Sequence, residues 1–265
     1  MNSRKSICPP FFFKRAYMAK SKNNTQLQPN QPQITLANNR LRLRLDDMKV
    51  IEPLTDNQKL FFDAYENSTI MLLHGVAGTG KTFIALYHAL EEVLDKANPF
   101  KRVIVVRSAV PSREIGHLPG DEKEKTEVYT EPYVEVCQDL FGRHDAYQRL
   151  EEQGAIKFLI TSFVRGITLE DSIIIVDECQ NMTDMELNSV ITRVGNRSKI
   201  VFCGDFRQTD LYRKTDMSGL KKFMAIADMM PSFKTFEFGV DDIVRSAIVK
   251  EYILARLDYE TRYCT

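Results

Sequence analysis

The chain has 265 residues, with 36 basic and 36 acidic side chains and a formal net charge of zero, so any binding to nucleic acid must come from local patches. Its five cysteines, Cys8, Cys137, Cys179, Cys203 and Cys264, are scattered, odd in number and free of C-x-x-C or Cys/His ligand spacing; this argues against a disulfide framework or zinc site and for a reducing, cytoplasmic setting. No apolar run approaches membrane-spanning length, and Cys8-Pro9-Pro10-Phe11-Phe12-Phe13 is too short, and too soon followed by Lys14-Arg15, for a signal peptide.

Residues 23–33 are rich in Asn, Gln and Pro without an apolar period and are expected to be disordered. Met18-Ala19-Lys20 offers an alternative start, with residues 1–17 an upstream extension. Arg40, Arg42 and Arg44 alternate with Leu41, Leu43 and Leu45, a period of two that predicts a short edge strand. The segment is either a basic arm for RNA phosphates or a solvated arm or oligomer contact. Residues 1–50 are therefore expected to form a disordered or extended basic arm, and 51–265 a single domain.

Thr55-Asp56-Asn57-Gln58 ahead of Phe61, Phe62, Ala64 and Tyr65 predicts a capped helix. The apolar run Ile70–Leu73 then predicts a buried strand. It is followed by Gly75-Val76-Ala77-Gly78-Thr79-Gly80-Lys81-Thr82 and a helical pattern over Phe83–Leu94. Strand, glycine loop and helix is the context in which G-x-x-x-x-G-K-[ST] cradles phosphates. Its glycines let successive backbone N–H groups face the anion, and the helix N-terminus adds positive partial charge. Lys81 would reach the β- and γ-phosphates of ATP, and the Thr82 hydroxyl would hold Mg²⁺. A glycine turn before a helix needs neither residue.

Val103–Val106 predicts a second buried strand ending at Arg107, and the charged, Pro- and Gly-containing stretch Pro111–Lys125 a long loop over the active face. Ile156–Ile160 is a further strand. Ser172–Val176 is a solid β-branched run ending in Asp177-Glu178, so its carboxylates emerge at the C-terminal end of a buried strand, where open α/β sheets place ligands. Asp177 would bind Mg²⁺ through water, and Glu178 would orient or deprotonate the attacking water. Lys199–Asp205 reads as another strand with a polar end, followed by Phe206-Arg207-Gln208; Asp205 and Gln208 stand where a side chain could feel the γ-phosphate. Strands alternating with helices give an α/β fold, a mostly parallel sheet with helices on both faces. The additional strand between loop and acid strand, with Glu178 beside Asp177, points to the RecA-like branch of P-loop NTPases that uses a catalytic glutamate.

On these motifs the chain resembles the PhoH family of ATPases over residues 55–255. The likeness runs in order through the phosphate loop, Arg107-Ser108-Ala109-Val110, Gly116–Asp121, Arg165–Leu169, Asp177-Glu178-Cys179-Gln180-Asn181, Thr192–Gly195, Gly204–Leu211, Ser218-Gly219-Leu220 and Asp242-Ile243-Val244-Arg245. It departs at Ser108, Cys179 and Ser246, where the family usually has proline, alanine and histidine. The resemblance extends to the first motor domain of superfamily 1 helicases. It implies that Gln58 contacts adenine and that Gln180 and Gln208 sense the γ-phosphate. A helix-surface glutamine is the plainer alternative for Gln58. It also implies an arginine supplied across a subunit boundary, hence a homo-oligomer, a hexamer by likeness to related ATPases. Candidate fingers are Arg193, Arg207, Arg213 and, ranked first, Arg245, with a structural salt bridge as the alternative role. The implied function is ATP hydrolysis acting on or with single-stranded RNA, in remodelling, helicase-like work or RNA decay, with no membrane partner and no legible nuclease residues. The alternative is a nucleotide-dependent assembly or scaffolding protein.

Overall fold

The computed structural model describes residues 42–108, 122–205 and 222–263. Helix α1 (Asp56–Tyr65) leads into β1 (Ile70–Gly75), α2 (Lys81–Leu94), β2 (Arg102–Arg107), α3 (Glu122–Phe141), α4 (Ala146–Glu152), β3 (Ile156–Ile160), β4 (Ser172–Val176), α5 (Asp184–Ile191) and β5 (Lys199–Gly204). A helix whose described part covers 222–228, α6, precedes β6 (Phe233–Phe238) and α7 (Ala247–Tyr263). The six strands form one sheet in the order β3-β2-β4-β5-β1-β6. Every pairing is parallel, so all six C-terminal ends lie along one edge.

Alternation along the strands sorts the core into two layers. Met71, Leu73, Val103, Val105, Ile173 and Ile175 face α1, α2 and α3 through Phe61, Leu86 and Tyr133. Leu72, Ile104, Ile174, Val176 and Phe202 face α5 and α6 through Leu187, Val190 and Phe223. The sheet is thus covered on both sides, as parallel sheets require. In chain order β2 and β3 separate the loop strand from the acid strand, but in the sheet β5 lies between them. Both Asp177 and Asp205 therefore emerge beside the phosphate loop.

Thr55 caps α1 as expected, its hydroxyl accepting from Gln58 N at 3.3 Å. Three segments differ from expectation. The Leu/Arg alternation forms no strand over its described part, 42–45. Leu43 is buried instead, and the Gln153 amide brackets its backbone, accepting from Leu43 N at 3.1 Å and donating to Leu43 O at 3.4 Å. The expected loop at Pro111–Lys125 gives way to helix α3 at Glu122; residues 109–121 lie outside the described residues. Strand β6 is not foreseen from sequence because it is an edge strand whose Lys234, Thr235 and Glu237 are exposed, which hides any apolar run.

Candidate nucleotide site

The loop between β1 and α2 is fixed by close backbone packing. Gly75 has φ of 127°, and a Cβ there would lie 2.0 Å from Phe238 O, so β6 can run flush against the loop only because this residue is glycine. Val76 N donates to the same carbonyl at 3.0 Å. Gly80, at φ 79°, is the N-cap of α2 in the left-handed region, which L side chains avoid. The loop's outer carbonyls are tied down as well. Val244 N donates to Gly78 O at 3.0 Å, and Gln58 Nε2 donates to Thr79 O at 3.0 Å.

Lys81 Nζ sits inside the loop, donating to Gly75 O at 3.1 Å, Val76 O at 2.8 Å and Thr79 Oγ1 at 3.2 Å. Burial lowers its pKa, while the charges of Asp205, Glu178 and Asp177 act the other way. Thr82 Oγ1 donates to Asp177 Oδ1 at 2.7 Å, joining the loop helix to the acid strand. The second Asp177 oxygen accepts from Tyr133 Oη at 2.8 Å. Tyr133 is fully buried, and burial followed by the Asp177 charge pushes its phenol well above the usual range, so it stays protonated and donates. Sequence patterning does not single out Tyr133. It arrives from α3, 44 residues away in the sequence. Tyr133→Phe would leave the buried Asp177 oxygen short of a donor. We expect a loss of about 1–3 kcal/mol, read as a lowered urea midpoint with an unchanged slope.

Glu178 adopts φ 51°, ψ 41°, a left-handed conformation uncommon for a residue with a side chain. Its carboxylate accepts from Gln180 Nε2 at 2.5 Å, and Gln180 Oε1 accepts from Asp205 N at 3.0 Å. Gln180 therefore bridges the tips of β4 and β5, and is itself buried. Gly204 makes room for this bridge: a Cβ there would stand 2.6 Å from Cys179 Sγ and 2.8 Å from Gln180 Oε1. Burial, then the neighbouring Asp177 charge, raises the Glu178 pKa above the ordinary carboxylate value.

The remaining expected residues are placed differently. Gln58 is buried, not on a helix surface; its Oε1 accepts from Leu54 N at 2.8 Å while its Nε2 holds the loop at Thr79. Arg245 is exposed, and its Cγ stands beside Gly78 of its own chain, 2.9 Å from where a Cβ would be. Arg193 follows α5, and its carbonyl accepts from Leu169 N ahead of β4, at the edge of the sheet opposite the loop. Gln208, Arg207 and Arg213 lie outside the described residues. No helix among the described residues is long and apolar enough to cross a membrane.

A loop built to this geometry, with Lys81 inside it and Thr82 joined to Asp177, is a P-loop nucleotide site. Comparison with known proteins agrees: the family described as PhoH-like protein matches residues 50–256. The chain belongs to the PhoH-like family. The PhoH-like protein of Mycobacterium leprae is 34% identical over 213 residues, covering 80% of this chain and 60% of that protein. That of Bacillus subtilis is 34% identical over 212 residues, covering 78% and 64% respectively. Protein PhoH of Escherichia coli is 30% identical over 211 residues, covering 79% and 59%. The chain thus spans about three fifths of the length of these PhoH-like relatives. Among solved structures, the large terminase of a thermophilic bacteriophage overlaps 76% of this chain and 50% of its own at 12% identity and TM-score 0.43. A Pif1 from Bacteroides sp overlaps 75% and 43% at 15% identity and TM-score 0.35.

Proposed function

We propose that this PhoH-like chain binds and hydrolyses ATP with Mg²⁺, and that turnover is coupled to single-stranded RNA within a homo-oligomer, a hexamer by likeness to related ATPases. The observation that carries the hydrolytic part is Glu178, held in a left-handed backbone conformation beside the Thr82–Asp177 pair. The loop residues Gly75–Thr82 surround the phosphates, and Lys81 exchanges its loop carbonyls for phosphate oxygens. Thr82 and Asp177 present two hard oxygens in contact, which suits Mg²⁺, a cation that takes one or two protein oxygens and the rest from substrate phosphates and water. When bound, Mg²⁺ neutralises developing phosphate charge. Glu178 takes the proton of the attacking water, and Gln180 fixes its carboxylate. Gln58 holds the loop, and any adenine contact falls to the rest of its amide. Asp205 and, by the family resemblance, Gln208 are assigned to sensing the γ-phosphate. Arg245 already lies against its own loop, so it stabilises the transition state from within the subunit or, after rotation, from a neighbour.

Helix α7 favours a second function, ATP-gated assembly without motor activity, since Ile248, Tyr252 and Tyr259 are 79%, 66% and 60% exposed. Steady-state ATP hydrolysis with and without single-stranded RNA, across protein concentrations, separates the two. We expect RNA to raise turnover. Turnover that rises with protein concentration and ignores RNA would overturn the RNA part in favour of assembly gating.

A further inference from the structure

A cavity of about 350 Å³ opens at the same edge of the sheet, on the β2–β3 side of the nucleotide site. Thr161, Ser162, Arg165, Thr183, Glu186 and Ser189 line it, and none takes part in the chemistry above. Its floor is built around one carboxylate. Glu186 Oε1 accepts from Ser108 Oγ at 2.7 Å and Thr161 Oγ1 at 2.5 Å. Glu186 Oε2 accepts from Thr183 N at 2.9 Å and Thr183 Oγ1 at 3.0 Å. A carboxylate offers about four acceptor positions, and these donors fill them. Burial opposes its charge, but the hydrogen bonds from Thr161, Thr183 and Ser108 outweigh burial and keep its pKa below the ordinary value.

This arrangement dictates what can enter. The hydroxyl protons of Ser108, Thr161 and Thr183 are committed to Glu186, so towards a visitor these oxygens only accept. Donors come from Arg165, Ser162 and Ser189. A phosphodiester at neutral pH carries no proton, so it accepts and does not donate and cannot satisfy such a lining by itself. A sugar hydroxyl does both. Next to the cavity the surface changes character. Phe163 follows Ser162 in the same turn and is 47% exposed, and Met185, 67% exposed, meets Arg165 Nη2 at 3.4 Å. Phe163 and Arg165 thus lie in the one segment that follows β3, and an exposed aromatic ring and a guanidinium are the side chains on which single-stranded bases stack and phosphates are neutralised.

We propose that this cavity takes a ribose of a single-stranded RNA, with Thr161 accepting from the 2′-hydroxyl, Arg165 meeting a neighbouring phosphate and Phe163 stacking on a base. The proposal rests on the RNA part of the function above and names the site for it. The 2′-hydroxyl distinguishes RNA from DNA, so the site also sets a preference for RNA. Its position bears on hydrolysis. Thr183 is separated from the turn Cys179–Asn181 by Met182 alone, and Ser108 lies two residues beyond Val106, whose carbonyl accepts from Asp177 N at 2.9 Å. Glu186 is therefore a positioning residue that ties the occupied cavity to both acids.

The test is fluorescence anisotropy of the whole chain with a labelled oligouridylate and the matching oligodeoxyuridylate, with thermal melting as the control for folding. We expect wild type to prefer the RNA, and Phe163→Ala and Arg165→Ala each to weaken RNA binding by about tenfold. Thr161→Val should erase the preference over DNA, and Thr161→Ser should restore it. If wild type binds RNA and the Phe163 and Arg165 variants bind it equally well, the site is wrong while the RNA function stands. Equal affinity of wild type for both oligomers overturns the ribose assignment. No RNA binding by wild type removes the RNA function itself, and this site with it.

Discussion

Replacing Glu178 by glutamine leaves ATP bound and lowers hydrolysis by about 10²–10⁴-fold, the worth of a positioned general base. The amide keeps the size of the side chain and can still accept from Gln180, which donates to the native carboxylate at 2.5 Å. What it loses is the ability to take a proton. The same change should raise the melting temperature. Burial and the Asp177 charge raise the folded-state pKa of Glu178, so the protonated form is the one that folding favours. Its contribution to stability is present below the unfolded carboxylate pKa and fades as pH rises through the raised folded value. At neutral pH the ionised group is a cost that glutamine does not carry. Activity follows the opposite sign. The base must be ionised, so turnover should fall as pH drops through the raised pKa, at a higher pH than an ordinary glutamate would give. Titration with a fluorescent ATP analogue, a melting curve and a kcat–pH profile check all three. A variant that hydrolyses ATP at the native rate would remove Glu178 from the mechanism.

Lys81→Ala acts earlier, at binding. Its ammonium donates to Gly75 O, Val76 O and Thr79 Oγ1, which hold it where the phosphates of a bound nucleotide would replace them. Charge-assisted hydrogen bonds contribute about 1.5–3 kcal/mol. The variant should therefore bind ATP roughly 10- to 100-fold more weakly, with hydrolysis falling further because the lost charge also stabilises the transition state. Removing a cation that feels the charges of Asp205, Glu178 and Asp177 also leaves their negative charge less compensated near the loop, which adds to the loss. The same titration with an ATP analogue, performed on both variants, separates them: Glu178→Gln keeps affinity and Lys81→Ala loses it.

The parts of this protein legible in its sequence are those written locally. The run Ser172–Val176 is a strand at the expected residues because a fully buried parallel strand must be apolar on both faces, and Ile156–Ile160 is one too, although it lies at the sheet edge with Lys157 exposed. The phosphate loop is legible because its glycines and Lys81 do their work within one turn of chain. Less is legible where a role depends on residues distant in sequence. Tyr133 is one tyrosine in a polar helix until the fold brings it to Asp177. Gln58 reads as a helix residue, yet it is buried and tied to Thr79, 21 positions later. Strand β6 shows no pattern of its own, since it is recruited by pairing with β1. Arg245 is expected to act across a subunit boundary, and the fold places it beside Gly78 of its own loop. Ser108 departs from the family pattern, and it proves to be one of the donors that fix Glu186.

The measurement that bears most directly on the central claim is phosphate release from Mg²⁺·ATP by the wild-type chain and by Glu178→Gln under the same conditions. We predict steady turnover by wild type that stops when Mg²⁺ is chelated, and release at least about a hundredfold slower in the variant. Wild type that binds ATP but releases no phosphate, or a variant as fast as wild type, would contradict it.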